Sequence, residues 1–293
     1  MCSCPSPARV DTPGLYLVKR RHFTELHDSS FCPGSLRAAF QEFLAFFARA
    51  TGVFDPVAPV LSSALRRTGE RTIVDLCSGA GGPWPALAGK LAGKEPVRVL
   101  LTDMHPPRPG CARDARTGSN AAAENAVPDC AYRREPVDAR ALPEDIHGIC
   151  TLFSSFHHFK PDDAGRILSD AARNGMGICV FEATSRNLGA ALPLFFLAPF
   201  FVLAMTPWIR PFRWSRLFWT YLVPAIPFMM GFDGLVSCLR TYTPEEMLEI
   251  ASGLGIETYT WESGSIPARG LPARITYLVG LPAAQAPART APV

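Results

Sequence analysis

This 293-residue sequence shows no excess of one charge sign, no paired cysteine motif and no internal repeat. Its 29 Lys+Arg residues stand against 26 Asp+Glu, a net charge of +3. The basic residues are scattered singly or in short groups, as at Lys19-Arg20-Arg21 and Arg66-Arg67. A nucleic-acid binder carries a basic stripe instead, so no nucleic-acid partner is expected. The nine cysteines are odd in number and lie far apart, at Cys2, Cys4, Cys32, Cys77, Cys111, Cys130, Cys150, Cys179 and Cys238. Without CxxC pairs they read as reduced thiols of a cytosolic protein, with neither a disulfide framework nor a metal site expected. The N-terminus lacks an apolar core after its first charges, which argues against a secretory signal. The missing repeat excludes a solenoid.

The length suffices for one full α/β core with an insertion. Strand candidates at 72–76, 97–103, 146–156 and 176–183 alternate with polar or helical stretches, the rhythm of a parallel sheet with helices on both faces. A helix is predicted in "GSLRAAFQEFLAFFARATG": Leu36, Phe40, Phe43, Leu44 and Phe47 share one stripe, with Ser35 as cap and Gly52 as stop. A second is predicted in "TPEEMLEIASGLG", with Thr243 as cap, Pro244 in the first turn and acids after it. Two closing strands follow at 256–262 and 274–280.

The stretch "TIVDLCSGAGGPW", residues 72–84, carries the chemistry. A buried strand ends in Asp75, and Gly79, Gly81 and Gly82 let the backbone turn tightly against a ligand. A dinucleotide site needs G-x-G-x-x-G, and here its third small position is Trp84, which would obstruct close helix–sheet contact. Read from Asp75, an acid at a strand end followed by a turn and a Pro83 helix start suits a ligand bearing an ammonium and a carboxylate.

The order and spacing of these residues resemble the class I S-adenosylmethionine-dependent methyltransferases over roughly residues 70–185 and the closing strands. The resemblance implies a Rossmann-like seven-stranded sheet with one antiparallel edge strand and S-adenosyl-L-methionine as cofactor. It maps the first family motif onto "VDLCSGAGG", with Cys77 where glycine is commonest. It places Asp103, at the end of "VLLTD", on the ribose hydroxyls, and Asp138 on the adenine amino group. His157 and His158, in "TLFSSFHHF", fall where the sulfonium meets the acceptor. Either can serve as a general base or shape the pocket. Glu182, Arg240 and Tyr242 are candidate substrate contacts, as are Glu25, His27 and Arg37.

Residues 188–208 carry no charge, and a second apolar run spans 217–232. The first run is long enough to cross a bilayer, but Pro193, Pro199, Pro224 and Pro227 interrupt both. The expectation is monotopic attachment, with Trp208, Trp214 and Trp219 at headgroup level and Arg210, Arg213 and Arg216 facing lipid phosphates. A lid over the active site and a dimer interface are the alternatives.

The sequence therefore divides into an N-terminal tail and helical cap (1–69), a cofactor-binding core (70–187), a hydrophobic insertion (188–242), a closing helix and strands (243–281) and a tail (282–293). The expected function is methyl transfer to a hydrophobic small molecule or lipid-like acceptor at the cytoplasmic face of the membrane. A non-catalytic, membrane-associated cofactor binder, or an enzyme using the same cofactor for another transfer, are the alternatives.

Overall fold

The computed structural model describes residues 18–84, 86–91, 97–106, 130–271 and 273–283. The expected N-terminal tail through residue 17 and the expected tail beyond 283 lie outside these. Helices α1 (Gly34–Thr51) and α2 (Ala58–Thr68) precede β1 (Thr72–Leu76), β2 (Arg98–Leu101), β3 (Cys130–Tyr132) and β4 (Ile149–Phe153). Then come α3 (Pro161–Arg173), β5 (Ile178–Glu182), α4 (Leu188–Met205), α5 (Trp214–Leu217) and α6 (Ala225–Arg240). Helix α7 (Pro244–Ser252), β6 (Tyr259–Pro267) and β7 (Arg274–Pro282) close the chain.

The strands form one seven-stranded sheet in the order β3-β2-β1-β4-β5-β7-β6. Strands β1 to β5 pair in parallel, and β7 runs antiparallel to both β5 and β6. The antiparallel strand therefore lies inside the sheet, between β5 and β6, rather than at its edge as expected. The β6–β7 hairpin explains the position: β7 docks on β5 over five register pairs and carries β6 outward.

Side chains alternate across the sheet, so Ile73 enters one core cluster while Val74 and Leu76 enter the other. Helix α2 covers the first face with Leu61, Ala64 and Leu65. Helices α3 and α7 cover the second, through Ile167, Leu168 and Ala171 and through Met247 and Ala251. Each fully buried Leu or Ile contributes roughly 1.5–3 kcal/mol by leaving water. Helix α7 has the predicted capping box: the Thr243 hydroxyl accepts from the Glu246 N–H, and Glu246 accepts from the Thr243 N–H.

Helix α1 ends at Gly52 as predicted, but its start differs. Pro33 occupies the cap position, and the Ser35 hydroxyl instead accepts from the Trp219 indole N–H. The stripe of Leu36, Phe40 and Phe43 packs against Val202, Ile226 and Met229, so α1 and the insertion share a third core cluster. Two of the three insertion arginines turn inward. Arg216 is buried and pairs with Glu42 of α1, and Arg213 reaches the same carboxylate at 3.2 Å. A guanidinium inside an apolar layer needs a counter-charge, and Glu42 supplies it, so Arg213 and Arg216 do not face lipid phosphates.

Candidate active site

The parallel strands bring their C-terminal ends to one edge, where ligands bind in open α/β sheets. After β1 the chain turns through Cys77 at φ 57° and Gly81 at φ 94°. The second value suits glycine; a side chain at Cys77 pays about 1–2 kcal/mol for its left-handed backbone. Asp103 follows β2 and binds this turn directly: its Oδ2 accepts the Gly79 N–H at 2.9 Å and its Oδ1 the His105 N–H at 2.8 Å. The Tyr132 hydroxyl of β3 donates to the Gly79 carbonyl at 3.1 Å. Burial, with Asp103 and Asp75 near, pushes that hydroxyl's pKa up. Helix α1 stands over the turn, with Gln41 beside Gly79 and Arg49 donating to the Gly82 carbonyl.

Asp75 lies beneath the turn, 1 % exposed. The β1–β4 register sets it opposite Thr151, whose hydroxyl donates to Asp75 Oδ1 at 2.7 Å. Burial pushes the carboxyl up to about 6, against the opposing hydrogen bonds. The helix predicted from Pro83 is not found: the described residues there form turns and one 3-10 turn, Ala88–Lys90. Trp84 accounts for the difference, because its indole is buried edge-on to Phe153 and draws the chain onto the sheet. Asp138 is tied to Arg140, which donates to Oδ1 at 3.0 Å and Oδ2 at 2.8 Å.

At the ends of β4 and β5 lies a second group. A short 3-10 turn, Phe156–His158, presents both predicted histidines. His157 is 2 % exposed, with Nδ1 2.6 Å from Glu182 Oε2 and Nε2 3.4 Å from Glu25 Oε1. Burial opposes its charge, but Glu182 and Glu25 raise its pKa to about 9. Burial likewise opposes ionisation of Glu25, yet the hydrogen bond with His157 and the surrounding histidines hold it down at about 2. His158 is the more open of the pair and sits 2.9 Å from Asp28 Oδ2 through Nδ1. His27 packs edge-on to His158, with Nδ1 3.0 Å from the buried Asp233 Oδ2.

Of the candidate substrate contacts, Glu182, Arg240, Tyr242 and Arg37 each bond other groups of the protein. Both Glu182 oxygens are engaged, Oε1 by the Phe156 and His157 N–H groups and Oε2 by the His157 ring, so it positions His157. Arg240 is buried and donates to the His157 and His158 carbonyls, Glu25 and Asp28. Tyr242 is buried, donates to the Phe159 carbonyl and carries Arg20 over its ring. Arg37 ties the His27 and Ser29 carbonyls. Sequence reasoning misses Tyr132, Asp28 and the part played by Asp233. The available signal is the E-L-H-D run at 25–28, where two acids flank an imidazole within four residues.

No protein-family model matches the sequence, and no curated protein does. Solved structures are similar in shape. The plantazolicin methyltransferase BpumL in complex with SAH superposes with a TM-score of 0.51 at 8% identity, over 87% of this chain and 93% of that one. An O-methyltransferase family protein from Burkholderia thailandensis gives 0.48 at 16% identity, over 92% of this chain and 67% of that one. The mitomycin 7-O-methyltransferase MmcR gives 0.46 at 20%, over 87% of this chain and 60% of that one. Strand order, the inserted antiparallel β7 and the superposition on BpumL together give this chain the fold of the class I S-adenosylmethionine-dependent methyltransferases.

Proposed function

We propose that the protein is an S-adenosylmethionine-dependent methyltransferase acting on a hydrophobic small molecule. The observation that carries this reading is the contact between Asp103 and the Gly79 N–H, which joins the left-handed turn after β1 to an acid at the next strand end. A carboxylate there accepts strongly from two neutral ribose hydroxyls, and the turn's backbone approaches the methionine part of the ligand. The transfer forms a bond from an acceptor heteroatom to the methyl carbon and breaks the carbon–sulfonium bond, releasing a proton. Alignment of the three atoms supplies much of the acceleration. His158, the more open histidine, takes the acceptor's side, and His157 is held behind it. In calorimetry, Asp103→Ala is expected to weaken cofactor binding roughly 10- to 150-fold, by about 1.5–3 kcal/mol. Unchanged affinity in a folded variant removes the ribose assignment.

The hydrophobic acceptor and a membrane-surface location are supported by the insertion. Phe196, Phe200, Trp208, Trp214, Leu222 and Phe228 are each between 63% and 78% exposed. No single described helix is long and apolar enough to cross a membrane; two bent helix pairs pass by length and composition alone. An exposed apolar face of this kind partitions into the acyl boundary at roughly 25 cal/mol per Å². Purified protein is expected to float with liposomes, and the quadruple change of Phe196, Phe200, Trp208 and Trp214 to Ser to stay at the bottom. Wild-type protein left at the bottom of every gradient contradicts membrane attachment.

A further inference from the structure

The group around His158 holds more acceptors than a proton relay requires. Glu25, His27, Asp28 and His158 each present one ligand atom, all within 4.8 Å of one another. His27 Nε2 lies 3.4 Å from Asp28 Oδ1, and Glu25 Oε2 lies 3.8 Å from His158 Nε2. Ligands about 2.0–2.1 Å from a tetrahedral ion stand roughly 3.3 Å apart. These edges reach that geometry with a contraction of tenths of an ångström.

Two of the four ligands, Glu25 and His27, are already held from outside the group. Glu25 Oε1 takes the Ser237 hydroxyl at 3.0 Å and Arg240 Nη1 at 3.2 Å. His27 Nδ1 meets Asp233 Oδ2 at 3.0 Å, and Asp233 is fixed by the Leu26 and His27 N–H groups. Asp28 Oδ2 and His158 Nδ1 lie 2.9 Å apart, a hydrogen bond that an ion held by both residues breaks and replaces. With His27 donating from Nδ1 to Asp233, its Nε2 presents a lone pair toward Asp28 Oδ1 at 3.4 Å. Metal-binding histidines carry this outer carboxylate, which fixes the tautomer. Beside the group, His157 Nε2, on a side chain 3 % exposed, points at Glu25 Oε1 from 3.4 Å.

The geometry points to a binding site for one divalent first-row transition metal, with Glu25, His27, Asp28 and His158 as its ligands. Two imidazoles and two carboxylates favour zinc, iron, cobalt or nickel over magnesium or calcium, which take all-oxygen shells. Asp28 and His158 lie on the open side, so an oxygen, nitrogen or sulfur of an acceptor can complete the coordination. On the methyl-transfer reading, which this extension rests on, His158 is then a ligand, and the ion lowers the acceptor's pKa in place of a base.

The test uses the full chain in a Cys2→Ser/Cys4→Ser background, so that those thiols hold no ion. After chelation and dialysis it is titrated with Co(II), followed by its visible absorption and by equilibrium dialysis, and then with Zn(II) in competition. One ion per chain is expected, with the intense visible band of a four-coordinate cobalt site that zinc abolishes. Asp28→Ala and His158→Ala, at partly open positions, are each expected to weaken binding by more than about tenfold, the lower end of the loss seen for outer partners. No stoichiometric binding, or binding equally tight in both variants, overturns the site. Calorimetry of the metal-free protein with S-adenosylmethionine reads the cofactor assignment separately, so the two readings fail independently.

Discussion

Arg216→Ala is expected to lower stability by about 3–5 kcal/mol, because it leaves a carboxylate inside an apolar layer without its main partner. Glu42 lies on α1, its side chain 13% exposed, and is held by Arg213 and Arg216 from the start of α5. Arg216 also donates from Nη1 to the Ile209 carbonyl at 3.1 Å and the Pro211 carbonyl at 3.2 Å. The substitution therefore strands three acceptors, and Arg213 is left as the counter-charge for Glu42. Urea denaturation followed by far-UV circular dichroism reads the loss as a lower midpoint. Replacing both partners, Arg216→Met with Glu42→Leu, is expected to recover only the part due to the unpaired carboxylate, since the Ile209 and Pro211 carbonyls still lose their donor. A single variant within about 0.5 kcal/mol of wild type would show that the ion pair does not hold the insertion to α1.

Asp75→Asn is expected to stabilise the ligand-free protein at pH 7.5 by up to about 3 kcal/mol, while weakening cofactor binding. The sign follows from the raised carboxyl. Its folded pKa is about 6, above the ordinary 3.9 of an unfolded Asp, so the folded state binds the proton more tightly. The stability this gives is full below about pH 4 and is lost as pH rises through about 6. Asn keeps an acceptor for the Thr151 hydroxyl without carrying the buried charge. The gain should vanish below about pH 4, where both chains are neutral at this position. Thermal melts from pH 4 to 8 test it: a difference that does not change with pH, or that favours Asp75 at pH 7.5, contradicts the buried, raised carboxyl. Such a residue trades stability for a ligand's positive charge.

The parts legible in the sequence are those fixed by short-range rules. Strands β1, β4 and β5 are apolar runs whose residues are nearly all buried, and α7 announces itself through Thr243, Pro244 and Glu246. The turn after β1 is legible because Gly81 needs a backbone that other residues rarely adopt. Strand β3 is not, since Cys130-Ala131-Tyr132 is too short for alternation to register. The missing helix after Pro83 reflects tertiary packing, the burial of Trp84, which local capping rules do not see. The insertion reads as membrane-facing because it lacks charge between 188 and 208, yet the partner of Arg216 lies 174 positions away on α1. The same distance blindness hides the group at His158: Asp233 meets His27 across 206 positions, and neither segment alone suggests the contact. Arg240 and Tyr242 lie near the strand ends as buried ties to the His158 and Phe159 carbonyls, contacts that the sequence around them does not announce.

The central claim is that the glycine turn and Asp103 hold S-adenosylmethionine. Calorimetric titration of the purified wild-type chain with S-adenosylmethionine and, separately, with NAD tests it most directly. The account predicts one S-adenosylmethionine bound per chain, displaced by S-adenosylhomocysteine, and no NAD bound. NAD bound in preference, or a folded protein that binds no S-adenosylmethionine, would contradict it.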